Sequence, residues 1–153
     1  MGSRRVGREI CLQTLYLWDN CGLSQEEALW AVKLENAGED DANGEEQAPD
    51  QKSNKIHPEA MTFADQLTKG VIGDQERLDA LIQRYCHNWK LSRMSVIDRN
   101  ILRIGAYEIL SIPEIPVNVI INEAVEIAKS YSTDESGKFV NGILDKMKRE
   151  RSA

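Results

Sequence analysis

A chain of 153 residues is long enough for one domain with a real core and short for two. Four prolines, 6% aromatic residues and abundant helix formers point to an all-α fold, and no alternating strand pattern competes with it. The formal net charge of -6 would repel nucleic acid if evenly spread, but five of the six excess negative charges fall in residues 34–57, so a local anion-binding surface elsewhere is not excluded.

The first predicted helix, residues 3–20, opens with "SRRVGREICLQTLY". Val6, Ile10, Leu12, Leu15 and Tyr16 recur at helical spacing, while Arg4, Arg5 and Arg8 crowd the end where the helix dipole prefers carboxylates. Spacings of three and four allow the three guanidinium groups to project from one side, where they can grip phosphates and stack on unpaired bases. Arginines at a frayed terminus with no ligand are the plainer alternative. A second helix is predicted over 24–36, where Ser24 and Glu27 have capping-box spacing. The stretch from about 36 to 57, "NAGEDDANGEEQAPDQKSNKIH", has almost nothing to bury and reads as a flexible acidic surface loop, with an acidic interaction segment mimicking nucleic acid as the alternative.

Helices follow over 58–72, opened by Pro58, over 74–88, and over 95–111, where Ser95 precedes Asp98. The last of these carries apolar residues around most of its circumference and is expected at the centre of the fold. Two more are predicted over 117–131 and 134–149, the second with Ser132 and Glu135 at capping-box spacing. Trp18, Trp30 and Trp89 are assigned to packing, and Gly105 and Gly142 to close helix approach.

Three cysteines, Cys11, Cys21 and Cys86, form no CxxC pair, which suits a reducing compartment. Cys86 beside His87 lacks the second ligand pair that a metal site needs. No run is apolar enough to cross a bilayer, and no hydrophobic leader follows the basic amino terminus, so a cytoplasmic protein without a membrane is expected. No nucleophile stands at recognisable spacing from a base, and there is no glycine-rich phosphate loop. Asp98 with Arg99, and Glu123 with Glu126, read as caps and surface pairs rather than an acid with its base. A binding protein with no cofactor is therefore expected.

"RRVGREICLQTLYLWD", "DRNILRIGAYEIL", "VIINEAVEIAKSY" and above all "KFVNGILDKM" resemble, in order, successive signatures of the NusB family of transcription antitermination factors. The resemblance covers the first twenty residues and about 58–150. It implies about seven helices in two small packed bundles, forming a single domain over 1–153 with no enzymatic activity. It further implies pairing with NusE, a protein of the small ribosomal subunit. The pair would bind single-stranded boxA RNA in ribosomal RNA leaders and help the RNA polymerase antitermination complex through terminators.

Carried over residue by residue, the resemblance places RNA contacts at Arg4, Arg5 and Arg8 and at the start of the last helix, Lys138, Phe139 and Asn141, with Tyr16 and Asp98 near the NusE surface. Val6 and Gly7 dilute the basic stretch, and Gly137 stands where many relatives have a basic side chain or histidine. A helix start with Lys138 attracts phosphate on physical grounds too. Phe139 shares an apolar stripe with Ile143 and Met147, which favours a core role over a stacking one. Tyr16 would otherwise be an ordinary helix aromatic with its hydroxyl at the rim. Two other classes remain open: a helical protein adaptor without RNA binding, and a fragment of a ribosomal RNA cytosine methyltransferase, whose cofactor-binding α/β domain has no room in this chain.

Overall fold

The computed structural model describes residues 2–36 and 57–152. Seven α-helices follow in order: α1 Ser3–Cys21, α2 Gln25–Asn36, α3 Pro58–Gly73, α4 Gln75–Tyr85, α5 Val96–Ser111, α6 Val117–Tyr131 and α7 Asp134–Ser152, with a 3-10 turn at Leu91–Arg93. The all-α expectation holds, and every predicted helix is present. The acidic segment lies, but for its ends, outside the described residues. The chain divides into two compact units, Met1–Asp65 and Gln66–Ala153.

In the first unit, Ile10 of α1, Val32 of α2 and Ala64 of α3 form a buried cluster against which Val6, Leu17 and Met61 pack. Helix α1 ends at Gly22, whose φ of 73° is the left-handed conformation only glycine adopts without strain, and its N–H returns to the Leu17 carbonyl. Ser24 then caps α2, its hydroxyl accepting from the Glu27 N–H at 3.1 Å. The start of α1 has no such help: Gly2 offers no side-chain cap, and the first turn holds no carboxylate.

In the second unit, α5 packs against α4, α6 and α7, and its buried residues run almost unbroken from Asn100 to Ile109. That is the central helix its sequence predicted. The buried Arg103 forks onto Asp79 of α4 at 2.7 and 2.9 Å and also reaches Asn100 at 2.9 Å, so the charge inside this bundle is fully engaged. At Gly105 a Cβ would meet the Leu144 side chain of α7 at 2.8 Å. Leu144 is itself fully buried and has nowhere to go. Gly105→Ala is therefore expected to lower stability by about 1–2 kcal/mol in denaturant titration, overpacking outweighing the helix propensity that alanine gains.

Four expectations are corrected. Gly142 allows no close approach, since a Cβ there would meet nothing within 4 Å. Trp30 and Trp89 are 66% and 58% exposed rather than packed. Helix α7 is capped by Thr133, not Ser132: the Ser136 N–H donates to Thr133 Oγ1 at 3.1 Å, while the Ser132 hydroxyl pairs with that of Ser136. Helix α4 stops at Tyr85 instead of running to 88, because the Gln83 side chain organises the following turn. Its amide donates to the carbonyls of Cys86 and Trp89 at 3.0 and 2.8 Å, and its oxygen accepts from the Leu91 N–H at 3.0 Å.

Candidate nucleic-acid interface

The three arginines of α1 meet different fates. Arg4 is exposed, Arg5 half-buried, and Arg8 only 2% exposed. Gly7 is the reason: a Cβ there would press on the Ala60 carbonyl at 2.9 Å and the Phe63 ring at 3.0 Å, so only glycine lets α3 come this near. Arg8 consequently lies over the Phe63 ring, 5.3 Å from its centroid. The expected single exposed cluster is thus corrected, because α3 covers one of its members. Arg4 borders a shallow groove with Gly2, Ser3, Glu59 and Phe63, and the Ser3 hydroxyl reaches the Glu59 carboxylate at 3.5 Å. Arg8→Ala is expected to lower the melting temperature and cost about 1–3 kcal/mol by stranding the Phe63 face, while Arg4→Ala leaves melting unchanged.

The second unit holds a groove of about 340 Å³ lined by Trp89, Arg93, Met94, Ser95, Asp98, Glu135, Ser136 and Phe139. Its walls come from three places: the turn built by Gln83, the start of α5 and the start of α7. Phe139 is half-buried and faces this groove, so it is neither a plain core residue nor a free platform. Asp98, expected on the partner surface, lines the same groove. The Ser95 hydroxyl accepts from the Asp98 N–H at 3.1 Å, and Asp98 Oδ2 accepts from the Ser136 hydroxyl at 3.3 Å, which fixes the carboxylate between α5 and α7. Its other oxygen, Oδ1, is buried and accepts no hydrogen bond. A carboxylate oxygen in that state is an acceptor waiting for a donor.

Lys138 and Asn141 are exposed on α7 but do not line the groove. Asn141 lies two residues from Phe139 and so on the other side of the helix, and Lys138 approaches Glu135 at 3.4 Å. With Asp98 and Glu135 lining it alongside Arg93, the groove is not a simple phosphate trap. It suits a planar group with N–H donors on its edge, packed against the Trp89 and Phe139 rings. Tyr16 is 37% exposed on α1, in the first unit. Sequence spacing singles out none of Gln83, Trp89 and Arg93 as a site residue; for Trp89 and Arg93 the signal is the polar, helix-breaking run that follows Tyr85.

Nearby, burial pushes the Cys86 thiol up from its ordinary value, against the field of Lys146. The Tyr85 hydroxyl donates to Glu150, and that hydrogen bond raises its pKa. Among the described residues, no three His, Cys, Asp or Glu side chains gather as a metal site, and no helix is long and apolar enough to cross a membrane.

Comparison with known proteins bears on this arrangement. The profile of the NusB family matches residues 5–149, a span that takes in the acidic segment as well as the motifs. The transcription antitermination protein NusB of Myxococcus xanthus is 44% identical over 147 residues, covering 96% of this chain and 95% of the relative. The solved structure of T. maritima NusB is 32% identical with a TM-score of 0.77, covering 100% of this chain and 94% of that one. A crystal structure of the antitermination factors NusB and NusE in complex with double-stranded RNA shares the fold, with a TM-score of 0.79 at 23% identity over 98% of each chain. This chain belongs to the NusB family.

Proposed function

We propose that this protein is a transcription antitermination factor, not an enzyme, which together with NusE binds single-stranded boxA-like RNA of ribosomal RNA leaders and keeps RNA polymerase processive. The observation that carries this reading is the Trp89–Phe139 groove with the unpartnered Asp98 oxygen inside it. An unstacked base offers what the groove lacks: a π-face for the rings and an amino or imino donor for the carboxylate. Arg93 supplies charge to the adjoining backbone from within the groove, and Lys138 and Asn141, exposed on α7 outside it, are proposed as further RNA contacts. On the first unit, Arg4 is the exposed cation that meets phosphate, with Arg5 beside it, and Arg8 supports them through Phe63. Tyr16 is proposed as a NusE contact. Asp98, by its place in the groove, contributes to the RNA as well as to the partner surface. The family relationship and a shared fold with a NusB–NusE–RNA complex support the assignment.

The test is binding of a boxA-like RNA and a scrambled one, with and without NusE, at two salt concentrations. Tight, sequence-selective binding that strengthens with NusE and weakens with salt is expected. Arg4→Ala should flatten the salt dependence by about 0.7 in log–log slope, the share of one single-strand phosphate contact. Equal, weak binding to both RNAs would leave a helical protein adaptor and overturn the assignment.

A further inference from the structure

Helix α7 continues well past Asn141, to Ser152, and presents an exposed face along that length. Gly142, Asp145, Lys146 and Arg149 follow one another along that face, all exposed. At Gly142 nothing lies within 4 Å of where a Cβ would be, so the backbone is bare and open to close approach. The Arg149 guanidinium rests over the Tyr85 ring of α4, 5.5 Å from its centroid, which orients the fork while leaving it exposed. Arg84, also exposed, precedes that tyrosine.

Of the carboxylates Glu150, Asp145 and Glu135, two are ion-paired with a lysine and Glu150 keeps its charge. Glu150 accepts from the Tyr85 hydroxyl, Asp145 pairs with Lys148 at 2.9 Å, and Glu135 pairs with Lys138 at 3.4 Å. Lys146, Arg149 and Arg84 therefore form a cationic strip, three positive charges that Glu150 offsets only in part. It begins where the proposed RNA groove ends, and from Lys138 to Arg149 it runs roughly 16 Å along the helix.

We infer that this face of α7, from Gly142 through Lys146 to Arg149, together with Arg84 of α4, is a second phosphate track that carries the single-stranded RNA beyond the part held at Trp89 and Phe139. The inference rests on the RNA-binding reading above and adds to it the length of RNA engaged and the residues that engage it. Built of cations, with its one nearby ring, Tyr85, covered by Arg149, the track binds backbone without regard to sequence.

The experiment measures binding of the full chain with NusE to three RNAs: a boxA-like core, and the same core lengthened by six unstructured nucleotides at one end or the other. One extended RNA is expected to bind about 5–20-fold tighter than the core at low salt, with a log–log salt slope steeper by about two, the share of three phosphates on a single strand. The double variant Lys146→Ala, Arg149→Ala should abolish that gain and leave core binding intact. Arg84→Ala, which leaves the Arg149–Tyr85 contact in place, should remove part of the gain without touching the fold. No gain from either extension, a gain that survives the double variant, or an equal loss on core and extended RNA would each overturn the track. Failure of the core RNA itself to bind would overturn the RNA-binding reading first, and the track with it.

Discussion

Arg151→Ala is expected to lower the unfolding free energy by about 2–4 kcal/mol, although the residue sits in the last turn of the last helix. Its guanidinium donates to four backbone carbonyls: Glu108 and Ile112 at 2.9 Å, Ile109 at 3.1 Å, and Ile115. Glu108 and Ile109 belong to the final turn of α5, where the dipole favours a cation; the Glu108 carbonyl also accepts from the Ile112 N–H at 3.0 Å, while Pro113 has no N–H to offer Ile109. Ile112 and Ile115 are buried in the turn that leads to α6. Removing the fork takes the donor from the Ile109 and Ile115 carbonyls and leaves Glu108 and Ile112 with one backbone N–H each, and a buried acceptor costs more unmade than it gains when made. The geometry also predicts that lysine is a poor substitute. An ammonium on a flexible stem restores the charge but cannot address four carbonyls as a planar fork does, so Arg151→Lys should recover less than half of the loss. Thermal melting is the check, with a fall of about 5–15 °C for alanine in a chain of this size. Lysine matching arginine would show that the charge, not the fork, matters.

What was legible in the sequence, and what was not, divides along local and non-local physics. Helix positions were legible because period, caps and breakers lie within a few residues of one another. The Ser24 and Ser95 caps formed as their spacing required. At α7, Ser132 and Thr133 both offer a hydroxyl at the boundary, and a shift of one residue decided which served. The exposure of Trp30 was in principle readable too. It lies two residues from each of the buried Ala28 and Val32, which places it on the opposite side of α2. Hydrophobicity argued for packing, but the helix period outweighed it.

The burial of Arg8 was not legible in the same way. Gly7 reads in the sequence as a dilution of positive charge, whereas in the fold it is the gap through which α3 reaches α1 and covers Arg8 with Phe63. Likewise, Asp98 and Phe139 are far apart in the chain and line one groove only because α5 and α7 pack together. The turn bearing Trp89 depends on three hydrogen bonds from one glutamine side chain, which no periodicity announces.

That turn leads to the largest expected effect on binding. Trp89→Ala should weaken binding of the boxA-like RNA by about 5–100-fold while changing stability by under about 0.5 kcal/mol. The two effects separate because the indole is 58% exposed and its turn is held through the backbone by Gln83, not by packing of the ring. Phe139→Ala could not make this distinction, since a half-buried ring contributes to folding as well as to the groove. Stacking involves no counterion release, so Trp89→Ala should lower affinity with the salt slope unchanged, the converse of what removing Arg4 does. Trp89→Phe keeps a π-face and should retain most of the affinity. Gln83→Ala offers a second route to the same loss: no aromatic atom is removed, yet the carbonyls of Cys86 and Trp89 and the Leu91 N–H lose their common partner and the platform loses its fixed position. Equilibrium binding with and without NusE decides the matter. Should Trp89→Ala leave RNA affinity intact and weaken only the association with NusE, the groove is a protein interface and the stacking role assigned to it is wrong.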